Sequence, residues 1–109
     1  MTCNKKRELV FMGSDFRLKV NITNLGNSKH LNDQTVSLSC QLRAGNAIQT
    51  FSKSQMIDLD QDTYIIPVKT SHLDKGDLFL KTTVGIPDTD FQSSTRTEIR
   101  EIDTGITII

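Results

Sequence analysis

Apolar residues in this chain recur at every second position, a period that suits strands and excludes amphipathic helices. Phe16, Leu18, Val20 and Ile22 alternate with Arg17, Lys19, Asn21 and Thr23. A helix would scatter such a set around its circumference, whereas a strand puts it all on one face of a sheet. The same rhythm returns in Val36, Leu38, Cys40 and Leu42, in Tyr64, Ile66 and Val68, and in Leu78, Leu80, Thr82 and Val84. Turn-forming stretches separate these runs, among them Asn24 to Ser28, Ala44-Gly45-Asn46 and Gly85 to Asp90.

The remaining pieces fit the same grammar. Ala47 to Phe51 returns from the Gly45-Asn46 turn as a hairpin partner, and Met56 to Leu59 is a short apolar piece ahead of an acidic turn. Pro67 lacks an N–H, so its strand belongs at an edge or carries a bulge there. Thr70 to Gly76 reads as a connection holding one helical turn, capped by Ser71 and ended by Gly76. Thr95 to Asp103 reads as an exposed strand, and Thr104-Gly105 turns it into a last strand, Ile106 to Ile109. Seven to nine short strands at even spacing predict an all-β sandwich or small barrel.

A length of 109 residues fits one domain, with residues 1–7 as a flexible N-terminal segment and residues 8–109 as the sandwich. The 13 basic and 13 acidic residues cancel, so no net field draws the chain to nucleic acid or to an anionic membrane. Lys5, Lys6 and Arg7 form a basic cluster that reads as a solvated tail. No run approaches the ~18 apolar residues of a membrane span, and no apolar stretch follows the basic start. Cys40 sits in an alternating apolar run and reads as a core residue, while Cys3 lies in a polar end. The opening Cys3-Asn4-Lys5-Lys6 resembles the start of a mature bacterial lipoprotein. That resemblance gives an alternative reading: a binding module at the bacterial cell surface, anchored through Cys3.

Side chains capable of chemistry are sparse and badly spaced for it. Asp58, Asp60 and Asp62 alternate like the first ligands of a calcium loop, but Thr63 and Lys69 stand where that loop needs Gly and Glu. They read as an acidic turn. A looser calcium site would have to recruit Asp88 or Asp90. His30 and His72 lack companions at metal-binding spacing and fall in loops. No nucleophile elbow or phosphate loop occurs, and Gly13-Ser14-Asp15 reads as a turn. Glu98 and Glu101 lie among Arg96 and Arg100, which suits ion pairing across strands better than acid–base work. The chain has five Phe, one Tyr and no Trp, too few aromatics for a base-stacking or sugar-stacking platform. Asn21-Ile22-Thr23 matches a glycosylation acceptor but lies inside a strand. The reading is of a protein that is not an enzyme and needs no metal or cofactor.

Three segments together resemble small β-sandwich modules of tailed-phage structural proteins. These modules are the immunoglobulin-like N-terminal domain of baseplate upper proteins and fibre proteins of Bacteroides phages. The segments are Phe11 to Ile22, with its Gly13-Ser14-Asp15-Phe16 opening; Leu73 to Leu80, followed by Ile86 to Phe91 and Arg96; and Asp103 to Ile108. The resemblance implies an immunoglobulin-like antiparallel β-sandwich, no catalytic residues, and a virion location after assembly in the host cytoplasm. Its partners would be other virion or assembly proteins, with the chain itself a homo-oligomer or stand-alone adaptor of the baseplate, fibre or head-decoration kind. Such baseplate proteins continue into long C-terminal regions, and this chain stops where those would begin.

An assembly protein needs an apolar or strand-edge surface. The candidates are Pro87, Asp88 and Phe91 in one region and Ile106, Ile108 and Ile109 at the end, where an apolar strand invites pairing. Pairing of Ile106 to Ile109 inside the sheet is the favoured alternative for that last strand.

Overall fold

The computed structural model describes residues 7–23, 25, 29–87 and 95–109. Its strands are β1 (Glu8–Val10), β2 (Asp15–Asn21), β3 (Ser37–Ala44), β4 (Ala47–Ser52), β5 (Ile57–Asp60), β6 (Thr63–Lys69), β7 (Gly76–Pro87) and β8 (Thr95–Ile108). The fold is all-β, as the period-two pattern predicts. A five-stranded sheet runs in the order β1-β8-β7-β3-β4, and a three-stranded sheet in the order β2-β6-β5. The two sheets contribute to one core, so the architecture is sandwich-like.

The alternating residues build that core. Leu38, Cys40 and Leu42 of β3 and Leu78, Leu80, Thr82 and Val84 of β7 are all buried on the inner face of the larger sheet. Tyr64, Ile66 and Val68 of β6 with Val20 of β2 meet them from the smaller one. Leu42, Ile66, Leu78 and Ile86 are fully enclosed. A buried leucine or isoleucine cut back to alanine costs about 2–5 kcal/mol, so these positions carry much of the stability.

The β3–β4 hairpin turns through Gly45 and Asn46, with Ala44 paired to Ala47. Gly45 has φ +60, and a Cβ there would lie 2.6 Å from the Cβ of Asp74. Glycine is required on both counts, and the close approach lets an Asp74 carboxylate oxygen accept the Asn46 N–H at 3.1 Å.

Several details differ from the sequence expectation. Thr104-Gly105 does not reverse the chain. β8 runs unbroken for 14 residues and is kinked by a register shift opposite Asp77 and Phe79. Gly105 takes φ +79 there. Its N–H is accepted by an Asp103 carboxylate oxygen at 2.9 Å, and the Thr104 hydroxyl donates to the Leu78 carbonyl at 2.8 Å. Side chains thus satisfy the disturbed ladder, and the strand bulges and continues.

β1 is also new, and it pairs parallel to β8, Leu9 opposite Thr107, so the sandwich is not purely antiparallel. Pro67 sits in the central strand of the smaller sheet. β5 pairs only as far as Ile65, however, so that flank of Pro67 carries no partner strand among the described residues. The helical turn is a 3-10 turn at Thr70–His72 with Lys69, not Ser71, at its cap position, and Gly76 opens β7.

Candidate functional site

Ile106 and Ile108 do not form a surface. They lie in the core, 8% and 1% exposed, between β1 on one side and β7 on the other. Pairing inside the sheet is therefore the outcome for this segment. Ile109 remains partly exposed, though its backbone is tied on both sides: its N–H donates to the Val10 carbonyl and its carbonyl accepts from Met12, each at 2.9 Å. Pro87 is half-buried at the end of β7, opposite Thr95. Asp88 and Phe91 lie outside the described residues, as do Asp90 and Cys3.

The exposed apolar surface of β8 lies earlier in the strand. β1 pairs only with Ile106 to Ile108, so Thr95 to Asp103 is bonded to β7 alone and its other edge has no partner strand among the described residues. Ile99, opposite Thr83, stands on the outer face and is 60% exposed. Ile102 is opposite Leu80 and so faces the same way as the core, yet it is 55% exposed. The smaller sheet ends at β2 and does not reach beneath it. The result is a side cleft of about 270 Å³ between the sheets, lined by Lys19 to Ile22, Leu80, Thr82, Arg100 and Ile102. Its lining mixes the apolar Val20, Ile22, Leu80 and Ile102 with the polar Asn21 and Thr82 and the cations Lys19 and Arg100.

Charge along this strand is arranged in alternating signs. Arg96 lies 3.7 Å from Glu98 and donates to the carbonyl of buried Leu25. Arg43 of β3 lies over the Phe79 ring at 4.7 Å and reaches to 3.6 Å from Glu101. The ion pairing expected for Glu98 and Glu101 is thus present, partly across β7. These pairs are solvent-exposed and add little stability, so their value lies in patterning the surface.

At the other end of β8, Arg7 closes the bulge. Its guanidinium donates to both carboxylate oxygens of Asp103 at 2.8 Å, to the Thr107 hydroxyl at 2.7 Å and to the Ile106 carbonyl at 3.1 Å. Asp77 stands 3.3 Å from it. The Arg7 fork and the Gly105 N–H together hold the Asp103 carboxyl at about 2, well below its ordinary range. Arg7, expected in the flexible segment, is an anchor. Its partner lies at the far end of the sequence, so no local pattern announces it.

The other candidates serve the fold. Asp60 caps its own turn by accepting the Asp62 N–H at 3.0 Å, and Asp62 accepts the Leu31 N–H and faces His30 Nδ1, both at 3.3 Å. His72 Nδ1 lies 3.4 Å from Gln49. Asn21, of the glycosylation-like triplet, donates to the Thr63 hydroxyl at 2.8 Å. Cys40 is a free, fully buried thiol whose pKa burial pushes up to about 11, which suppresses its thiolate. Lys53, which the sequence did not single out, donates to the Asp33 and Val36 carbonyls at 2.9 and 2.7 Å and lies 5.8 Å from the Tyr64 ring. Among the described residues no group of three His, Cys, Asp or Glu could hold a metal ion. No helix there is long and apolar enough to cross a membrane.

No family model, curated protein or solved structure matches the chain.

Proposed function

We propose that this chain is a non-catalytic assembly module of a tailed-phage virion, built as an immunoglobulin-like sandwich and acting through protein–protein contacts. The observation that carries the interaction reading is the β8 edge that no strand among the described residues covers, with Ile99 and Ile102 exposed on its two faces. An unpaired, apolar-bearing strand edge is a liability unless something covers it, and adding a strand to it is a general mode of recognition.

The immunoglobulin-like reading is supported by the strand order. If β1 to β8 are taken as strands A, B, C, C′, D, E, F and G, the sheets become A-G-F-C-C′ and B-E-D. The chain has no Trp, and Cys40 falls on the strand corresponding to C, so the domain holds together by core packing instead of an inter-sheet bridge. The virion assignment is supported by the sequence resemblance carried on Phe11 to Ile22, on Leu73 to Leu80 with Ile86 to Phe91 and Arg96, and on Asp103 to Ile108.

The test is to purify phage particles from the producing host by density gradient and identify their proteins by mass spectrometry. The chain is expected at a fixed stoichiometry in intact particles. Its absence from particles, with recovery in the bacterial membrane fraction as a lipid-modified Cys3 peptide, would overturn the reading in favour of a surface lipoprotein.

A further inference from the structure

The β8 edge is charge-complementary to itself in two registers, about Ile99 and about Thr97, and only the first also sets the exposed Ile99 against its own copy. A two-fold axis perpendicular to a sheet carries each face onto itself, so a strand that pairs antiparallel with its own copy must be centred on a residue, with neighbours of equal offset opposite one another. About Ile99, that rule sets Glu98 opposite the partner's Arg100, Arg100 opposite the partner's Glu98, and Thr97 opposite the partner's Glu101. Ile99 meets the partner's Ile99 on the outer face. Arg96 meets the partner's Ile102 on the inner face, where its aliphatic stem covers an isoleucine that the smaller sheet leaves bare.

The neighbouring registers fail. Centring on Arg100 sets that residue against its own copy. Centring on Glu98 sets Glu98 against its own copy and Arg96 against Arg100. The paired stretch in the Ile99 register runs from Thr95 to Asp103, which is the stretch β1 leaves open before it takes over at Ile106.

Two other edges are less suited to this when centred on their middle residues: centring β2 on Leu18 sets Arg17 against Lys19, and centring β5 on Leu59 sets Asp58 against Asp60. Like charges directly opposite oppose pairing. β4 carries no charge that would select a register.

We propose that β8 pairs antiparallel with β8 of a second copy of this chain about a two-fold axis at Ile99, joining the two larger sheets into one continuous sheet. This deepens the assembly reading by naming the partner and rests on it only for the purpose of the dimer. A monomer that still co-purifies with particles would defeat the pairing and leave the assembly role standing.

The experiment is light scattering over a range of concentrations on wild type, Glu98→Arg, Arg100→Glu and the double variant E98R/R100E. Wild type is expected to form a dimer. Each single swap sets like charges opposite twice and should weaken it by about 10-fold or more, and the double swap should restore it. A wild type that stays monomeric at millimolar concentration, or a dimer indifferent to all three variants, overturns the proposal. If a single swap perturbs folding by circular dichroism, wild-type amide hydrogen exchange decides. Protection within Thr97 to Glu101 must rise with protein concentration, and an unchanged pattern refutes the pairing.

Discussion

The two halves of β8 are one strand under opposite regimes. From Ile106 to Ile108 it has β1 on one edge and β7 on the other, with both isoleucines turned into the core. From Thr95 to Asp103 it has β7 alone among the described residues, and Ile99 and Ile102 face solvent. Both halves are rich in isoleucine, so composition does not separate them. What separates them is coverage and facing: Ile102 points inward where the smaller sheet does not reach, Ile99 points to the outer face, and β1 lines the edge of the other half. Isoleucine contributes to folding where both covers are present and becomes a docking feature where neither is.

The sharpest way to break this comparison is to trim an isoleucine in each half. Ile108→Ala removes a side chain that is 1% exposed and should lower the unfolding free energy by about 2–5 kcal/mol. Ile99→Ala removes one that is 60% exposed and should change it by less than about 0.5 kcal/mol, measured on the monomer by urea denaturation. Equal losses at the two positions would mean that coverage does not distinguish the halves. Removing Ile106 to Ile109 altogether should unfold the domain.

A smaller effect tests how the covered half is held. Thr70 is fully buried, accepts the Gly13 N–H at 2.8 Å and donates to the Ser14 carbonyl at 2.6 Å. It thereby fixes the turn that brings the chain from β1 into β2. Thr70→Val keeps the shape, strands the Gly13 N–H and leaves the Ser14 carbonyl with the Thr70 N–H at 3.4 Å, at a cost of about 1–3 kcal/mol. Hydrogen exchange should locate the loosening at Val10 and Met12 and the β1-facing amides of Ile106 to Ile109, with Thr97 to Glu101 unchanged. Loosening spread evenly along β8 would show that β1 does not cover its end independently.

The sequence showed one of these regimes better than the other. Period-two alternation located the buried faces of β2, β3, β6 and β7, because a half-buried strand must alternate wherever one face meets the core. It also showed the mixed charges of Arg96 to Glu101. β1 was not legible: Glu8-Leu9-Val10 is too short to display a period, and its parallel partner lies at the other end of the chain. In sequence Gly105 looks like a turn residue because a bulge calls on the same left-handed residue that a turn does. The bare edge was invisible for a related reason. Which strand is left at an edge depends on the order of all of them, and Ile102 carries the alternation of a core position in a place the smaller sheet does not reach.

The smallest effect lies at the junction of the two halves, where Arg7 grips Asp103. Asp103 ionises at about 2 in the folded protein, against an ordinary 3.8. Above pH 4 the carboxylate is charged in both folded and unfolded chains, and the Arg7 contact contributes in full. As pH falls from 4 towards 2 the unfolded chain takes up a proton that the folded one still refuses, so this contribution is lost across that window. Arg7→Ala should therefore raise the Asp103 midpoint towards its ordinary value, read from the carboxyl carbon shift in an NMR titration. The rise stays incomplete because the Gly105 N–H still donates to the same carboxylate. Arg7→Lys restores the charge without the two-pronged geometry and should recover only part of the depression. An Asp103 midpoint unchanged in Arg7→Ala would mean that the bulge alone holds the carboxylate. β1 would then be fastened to β8 by its backbone ladder and by Val10, with no contribution from the residue that precedes it.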